Sequence, residues 1–182
     1  MPATLTDLMN TEGRAELING EIVQLPLDGA AVGQANGAIL YSLHHYSKQT
    51  RVGCPFSTTV AFVVDLPHRQ SISPSASYYV GPSAGMGFPI GAPMFAVETR
   101  NLQDYGPQVE IERAAKRADY FAAGTRVVWD VDLLGSDAVK KYTAENPDTP
   151  IIFRQGETAD AEPAVPGWTL ILADEFARQE RD

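Results

Sequence analysis

Long apolar runs are missing from this chain. None approaches the ~20 residues of a membrane-spanning helix, which excludes such a span. Cysteine is nearly missing too, since Cys54 is the only one. That excludes an internal disulfide framework and a thiolate zinc cluster, and a reducing, cytoplasmic setting is expected. Residues 1–10 have neither a basic start nor an apolar centre, so no secretory signal is expected there. Basic residues are outnumbered, 14 lysines and arginines against 23 acidic residues, net charge −9. Such a balance excludes a protein that holds nucleic acid through a broad basic surface. The excess is uneven: residues 157–182 carry seven acidic and two basic side chains, net −5, and the remainder carries net −4. Mild acidity of the body fits a divalent-cation site as well, because such sites are built from carboxylates.

What is present describes one soluble globular domain over residues 1–182. Apolar residues make up 44% and charged residues 20% of the 182. A chain of this size buries roughly 70% of its unfolded surface and needs no disulfide or metal staple. Thr4 or Thr6 caps a short helix through Leu5–Arg14. Asn19-Gly20 between two apolar runs signals a hairpin, because a type I′ turn needs positive φ at both central positions. Val32, Ala35, Ile39, Leu40, Leu43 and Tyr46 recur at helical spacing and place a long helix near 30–48. Gly29, Gly33 and Gly37 fall at i, i+4, i+8 on it, each costing up to ~1 kcal/mol relative to alanine. Close approach of another backbone, such as a partner helix, is the expected return, and a homodimer follows from it.

Strands are expected at 58–64, 76–80 and 94–98, with a glycine- and proline-rich loop at 81–93. A helix over 107–123 carries Ile111, Ala115, Ala118 and Ala122 as its buried stripe, with Gly124 at its C-terminus. Strands follow at 126–131, 139–143, 151–154 and 168–172, and Asp174 caps a terminal helix. The order implies an α/β (α+β) fold: a mixed central β-sheet flanked by helices, with the strand at 94–98 joined to that at 126–131 by a crossover helix.

Glu98 draws attention because it closes an apolar strand, and the rim of a sheet is where α/β folds place metal or catalytic groups. Its bland reading is a solvated strand end. Glu112 and Lys116 are spaced i, i+4, a surface pair worth ~0.3–0.5 kcal/mol in the bland reading. Lys116 also borders the stripe expected to face the sheet, so its amine can reach a carboxylate at the strand end. Arg113 and Arg117 suit either a phosphate backbone or a solvated helix face. The run SAGMGFPIG, with Gly85, Gly87 and Gly91, lacks the helix and lysine of a phosphate loop and reads as a loop beside the site. His44, His45 and His68 make no metal spacing with Cys54. Ser75 lacks the glycine-flanked elbow of a hydrolase nucleophile. Trp129 and Trp168 read as core.

Five stretches in order carry a family resemblance: AELINGEIV, SPSASYYV, MFAVETRN, ERAAKRADYFAAGTRVVWDVD and PGWTLILADEF. Over residues 12–176 the chain resembles the Uma-type restriction endonuclease family, a branch of the PD-(D/E)xK nuclease superfamily. The resemblance implies a restriction-endonuclease-like core and a metal-dependent endonuclease, with nucleic acid as partner and Mg²⁺ or Mn²⁺ as cofactor. In the family pattern, one carboxylate follows a proline, a second ends the next strand, and a lysine lies on the following helix. Mapped onto this chain, Glu98 matches the glutamate, Lys116 the lysine and Glu16 an N-terminal acidic position. Glu112 stands where the helix has an aspartate, so Glu98, Glu16 and Glu112 form the implied metal set. One departure stands out. The family aspartate is replaced by Ser75, after Pro74, and a neutral hydroxyl is a poor ligand for a hard divalent cation. Glu16, Glu112 or Asp104 would have to compensate. Two outcomes follow: an endonuclease with a degenerate site, or a catalytically inactive nuclease fold used for binding or self-association.

Overall fold

The computed structural model describes residues 1–173 and 176. Helix α1 (Leu5–Met9) is opened by a reciprocal cap: Asp7 N–H donates to Thr4 Oγ1 at 3.3 Å, and Thr4 N–H donates to the Asp7 carboxylate at 2.8 Å. It ends at Asn10, short of the expected Arg14. Strands β1 (Ala15–Ile18) and β2 (Glu21–Gln24) form the expected hairpin, with φ of 52° at Asn19 and 74° at Gly20. Helix α2 (Ala30–Thr50) buries Val32, Ala35, Ile39 and Leu43. Its glycines do not do what their spacing suggests within this chain: a Cβ at Gly29, Gly33 or Gly37 would meet no atom within 4 Å.

The run at 58–64 does not form one strand. Strand β3 (Cys54–Ser57) precedes it, Thr58-Thr59 turn, and β4 (Phe62–Leu66) begins later. The split lets Phe62 and Val64 point into a core while β5 (Arg69–Ile72) returns antiparallel to β4. Then come β6 (Ala76–Tyr79), the loop, β7 (Phe95–Thr99), α3 (Pro107–Ala122) and β8 (Val127–Val131). Strands β7 and β8 run parallel, joined by α3 as the crossover helix. Next are β9 (Val139–Thr143), β10 (Asn146–Phe153), β11 (Thr158–Asp160) and β12 (Thr169–Ile171). The central sheet has the order β10-β9-β8-β7-β6-β3, and a second sheet has the order β2-β1-β5-β4. Among the described residues, strand β12 pairs with β11 alone, in a small two-stranded sheet. The mixed sheet flanked by helices is the fold class expected. The expected cap at Asp174 falls outside the described residues.

The two faces of the central sheet differ. Toward α2 lie Phe95, Val97, Val127, Trp129 and Val131, all fully buried, and Trp168 packs on them. Toward α3 the same strands present Ala96, Glu98, Val128 and Asp130, by the two-residue alternation of a strand. Accordingly α3 is turned the opposite way from the expectation. Ile111, Ala115, Ala118 and Ala122 face solvent, and the helix buries Asp119 and Tyr120 with Arg113, Lys116 and Arg117 half-buried. The inward side is cationic because Glu98 and Asp130 lie beneath the helix and pair with Lys116 and Arg113.

Candidate active site

The site forms where the two larger sheets and α3 meet. Strand β7 brings Glu98, β1 brings Glu16, β5 brings Arg69, and α3 brings Arg113, Lys116, Asp119 and Tyr120. Lys116 is the centre: its Nζ lies 2.9 Å from Glu16 Oε1 and 2.9 Å from Glu98 Oε1. One turn on, Tyr120 donates its hydroxyl to Glu98 Oε1 at 2.5 Å. Spacing i, i+4 puts both groups on one helix face.

Glu16 is almost wholly buried, 2% exposed, and is heavily engaged. Its Oε1 also accepts the Ser73 N–H at 2.7 Å, and its Oε2 accepts from Arg69 Nη1. Arg69 continues through Nε to Asp119 Oδ2 at 2.7 Å, and His68 Nε2 meets Asp119 Oδ1 at 2.8 Å. On the other flank Arg113 Nη2 donates to Asp130 Oδ1 at 2.6 Å and to the Glu98 carbonyl at 3.0 Å. Arg100 holds Asp130 bidentately at 2.9 and 2.7 Å and also binds Glu110. A small cavity of about 30 Å³ lies among Glu98, Arg113, Lys116, Arg117 and Asp130.

Charge pairing governs the ionisation. Burial pushes the Glu98 carboxyl up, but the Lys116 ammonium, then Arg14, the Tyr120 hydroxyl and Arg113 outweigh it and hold it below its usual value. Burial likewise raises Asp130, and Arg100 with Arg113 more than offsets it. Burial, then the negative charges of Glu98 and Glu16, push the Tyr120 phenol well above its usual range. Glu98 is therefore an ionised acceptor and Tyr120 a fixed donor, a poor arrangement for a carboxylic acid that must shuttle protons near neutral pH.

Ser75 sits one residue before β6. Extending the β6–β7 register by one position sets it opposite Glu98. Its N–H donates to Val97 O at 2.8 Å, and its Oγ accepts the Thr99 N–H at 3.2 Å. The structure thus brings Glu98, Lys116, Glu16 and Ser75 into one neighbourhood. Glu112 is not brought there. It lies on the exposed side of α3 and accepts from Gln108 Nε2 at 3.0 Å, while Lys116 turns inward to Glu16 and Glu98. Asp104 caps its own turn, accepting the Asn101 N–H at 2.8 Å. The sequence reading did not find Arg69, Asp119, Tyr120 or Asp130. Tyr120 and Asp119 had a signal, i+4 and i+3 from Lys116; Arg69 had none.

A divalent ion does not fit these residues as they stand. Glu16 is committed to a lysine, an arginine and a backbone amide. Ser75 is neutral and its hydroxyl is engaged by backbone. Among the described residues no three His, Cys, Asp or Glu side chains converge to hold a metal. Nor is any described helix long and apolar enough to cross a membrane.

Comparison with known proteins agrees with the fold. The chain is similar to the solved "putative nuclease belonging to DUF820 from Anabaena variabilis ATCC 29413", with a TM-score of 0.72 at 17% identity. The match covers 96% of this chain and 98% of that one, and it establishes the shared fold. No curated protein matches this chain. The family model described as "Putative restriction endonuclease" matches residues 2–173, and the chain belongs to that family, Uma2.

Proposed function

We propose that this chain is a metal-dependent endonuclease in lineage, with nucleic acid as its substrate class, whose catalytic site is degenerate. The observation that carries the reading is the Lys116 ammonium seated between Glu16 and Glu98, beside Ser75 where the family places an aspartate. In the family's chemistry Mg²⁺ or Mn²⁺ makes a nucleophile of bound water and stabilises charge on the phosphate. Here the Lys116 ammonium, with Arg69 on Glu16, balances the two carboxylates that would draw such an ion. An unpaired carboxylate added at position 75 would favour a divalent cation over the ammonium there. Lys116 would then be free to position the scissile phosphate.

The test is cleavage of single- and double-stranded DNA and RNA with Mg²⁺ or Mn²⁺. Wild type is expected at background, Ser75→Asp above it, and Ser75→Asp/Glu98→Gln at background again. Robust wild-type cleavage that survives Glu98→Gln would place catalysis elsewhere. A second reading, a non-catalytic module that binds or self-associates, is favoured by the open face of α2, where Gly33 and Gly37 leave room beside exposed Tyr41. Sedimentation of wild type and Gly37→Leu tests the homodimer this reading entails: wild type dimeric and Gly37→Leu monomeric supports it.

A further inference from the structure

A second, larger cavity of about 890 Å³ opens between the C-terminal turns of α2, strand β3 and the loop after β6. That volume lies in the range of small-molecule sites. Its charged lining is one-sided: Lys48 and Arg51 line it, and no aspartate or glutamate does. In a chain of net charge −9 such a wall is an exception. Among the described residues neither Lys48 nor Arg51 forms an ion pair with a carboxylate.

Arg51 adds an independent mark. It holds φ 57° and ψ 27° at the C-terminus of α2, donating its N–H to Ser47 O at 2.8 Å. This left-handed conformation suits glycine or asparagine, and a residue with a long side chain is strained in it. A strained non-glycine residue at the lip of a cavity points to use of its side chain. Phe56, Val60 and Pro89 add apolar surface to the same lining, with Gly85 in the loop at φ 59°. The groove thus combines two cations, an aromatic ring and glycine backbone in one lining.

We propose that this groove binds a small organic phosphate bearing a planar ring, of the nucleotide class. The phosphate lies against Lys48 and Arg51, and the ring lies against Phe56 and the loop. Two permanent cations match one or two phosphates and fall short of a polymer backbone. A peptide added to the edge of β3 is disfavoured, because that strand has four residues and contains Pro55. The groove is separate from the Glu98 cavity: Tyr79 lies four residues along β6 from Ser75, about 13 Å. The proposal therefore does not rest on the nuclease reading.

Cys54, the chain's sole thiol, is exposed in the groove wall and reports its occupancy. The experiment measures alkylation of Cys54 by a maleimide with ADP, AMP, adenosine or inorganic phosphate present, and calorimetric titration with the same four. ADP and AMP are expected to slow alkylation and bind saturably, adenosine and phosphate far less. Lys48→Glu and Arg51→Glu should each weaken ADP binding about tenfold. Arg126→Glu, an exposed change elsewhere, and Glu98→Gln should leave it unchanged. Melting curves confirm that each variant is folded. Absence of ADP binding by both methods overturns the proposal. So does equal binding by adenosine or by inorganic phosphate, or charge-reversed variants that bind ADP as wild type does.

Discussion

On the α2 side of the central sheet, Phe95, Trp129 and Trp168 meet with ring centroids 5.1 to 5.7 Å apart. On the α3 side of the same strands, Glu98 and Asp130 meet Arg100, Arg113 and Lys116. The strands that supply these residues alternate one to each face, so one sequence builds an oily layer and an ionic layer at once. The oily layer has the ordinary driving force of area removed from water. Buried ion pairs are different: desolvation consumes much of their attraction, and apolar replacements of equal volume are often as stable. An ionic layer under a helix is thus poor evidence of a need for stability.

Breaking the oily side should have the largest effect. Trp129 is fully buried, and Trp129→Ala is expected to cost about 3–5 kcal/mol in denaturant-induced unfolding. A loss below 1 kcal/mol would remove the contrast between the layers. On the ionic side, Lys116→Met takes from Glu98 its ammonium partner, while Glu16 keeps Arg69, and should cost about 3 kcal/mol near neutral pH. The deficit should shrink in acid, where the stranded Glu98 carboxylate takes up a proton; a deficit that does not vary with pH would mean that the lysine stabilises by packing.

Wild-type stability should itself follow the ionic layer. Glu98 and Asp130 have folded values below their unfolded ones, near 4.5 and 3.8. Their contribution is complete above those unfolded values and is lost as pH falls through the lower folded ones. Unfolding free energy measured down the acid range should decline there, and Glu98→Gln should decline less steeply. Identical slopes would show that Glu98 gains nothing from its partners. The smallest effect belongs to the outer face of α3. Ile111→Glu and Ala115→Glu should each change stability by less than about 0.5 kcal/mol, since both sites face solvent. A larger loss would mean that this face is covered by another molecule.

Local signals in the sequence were enough for much of the fold. Asn19-Gly20 set its hairpin, and the parallel pair β7–β8 followed from two apolar runs separated by a helical pattern. Strands β3 and β5 escaped notice because CPFS and RQSI are four residues each, carry proline or arginine, and show little alternation. The facing of α3 was misjudged for a physical reason. Periodicity identifies which residues share a side, and the inward side depends on the partner surface, here two carboxylates from neighbouring strands. Glu98 and Lys116 were legible as neighbours because a strand end and the next helix are close in chain. The Glu16–Arg69 pair spans 53 positions and depends on how the second sheet docks, which no local pattern encodes.

The central claim is that Lys116 and Ser75 together leave no seat for a divalent ion. Calorimetric titration of Mn²⁺ into wild type and Ser75→Asp addresses it directly. Wild type should give no saturable heat and Ser75→Asp stoichiometric binding, abolished by adding Glu98→Gln. Stoichiometric Mn²⁺ binding by the wild-type protein, lost in Glu98→Gln, would contradict it.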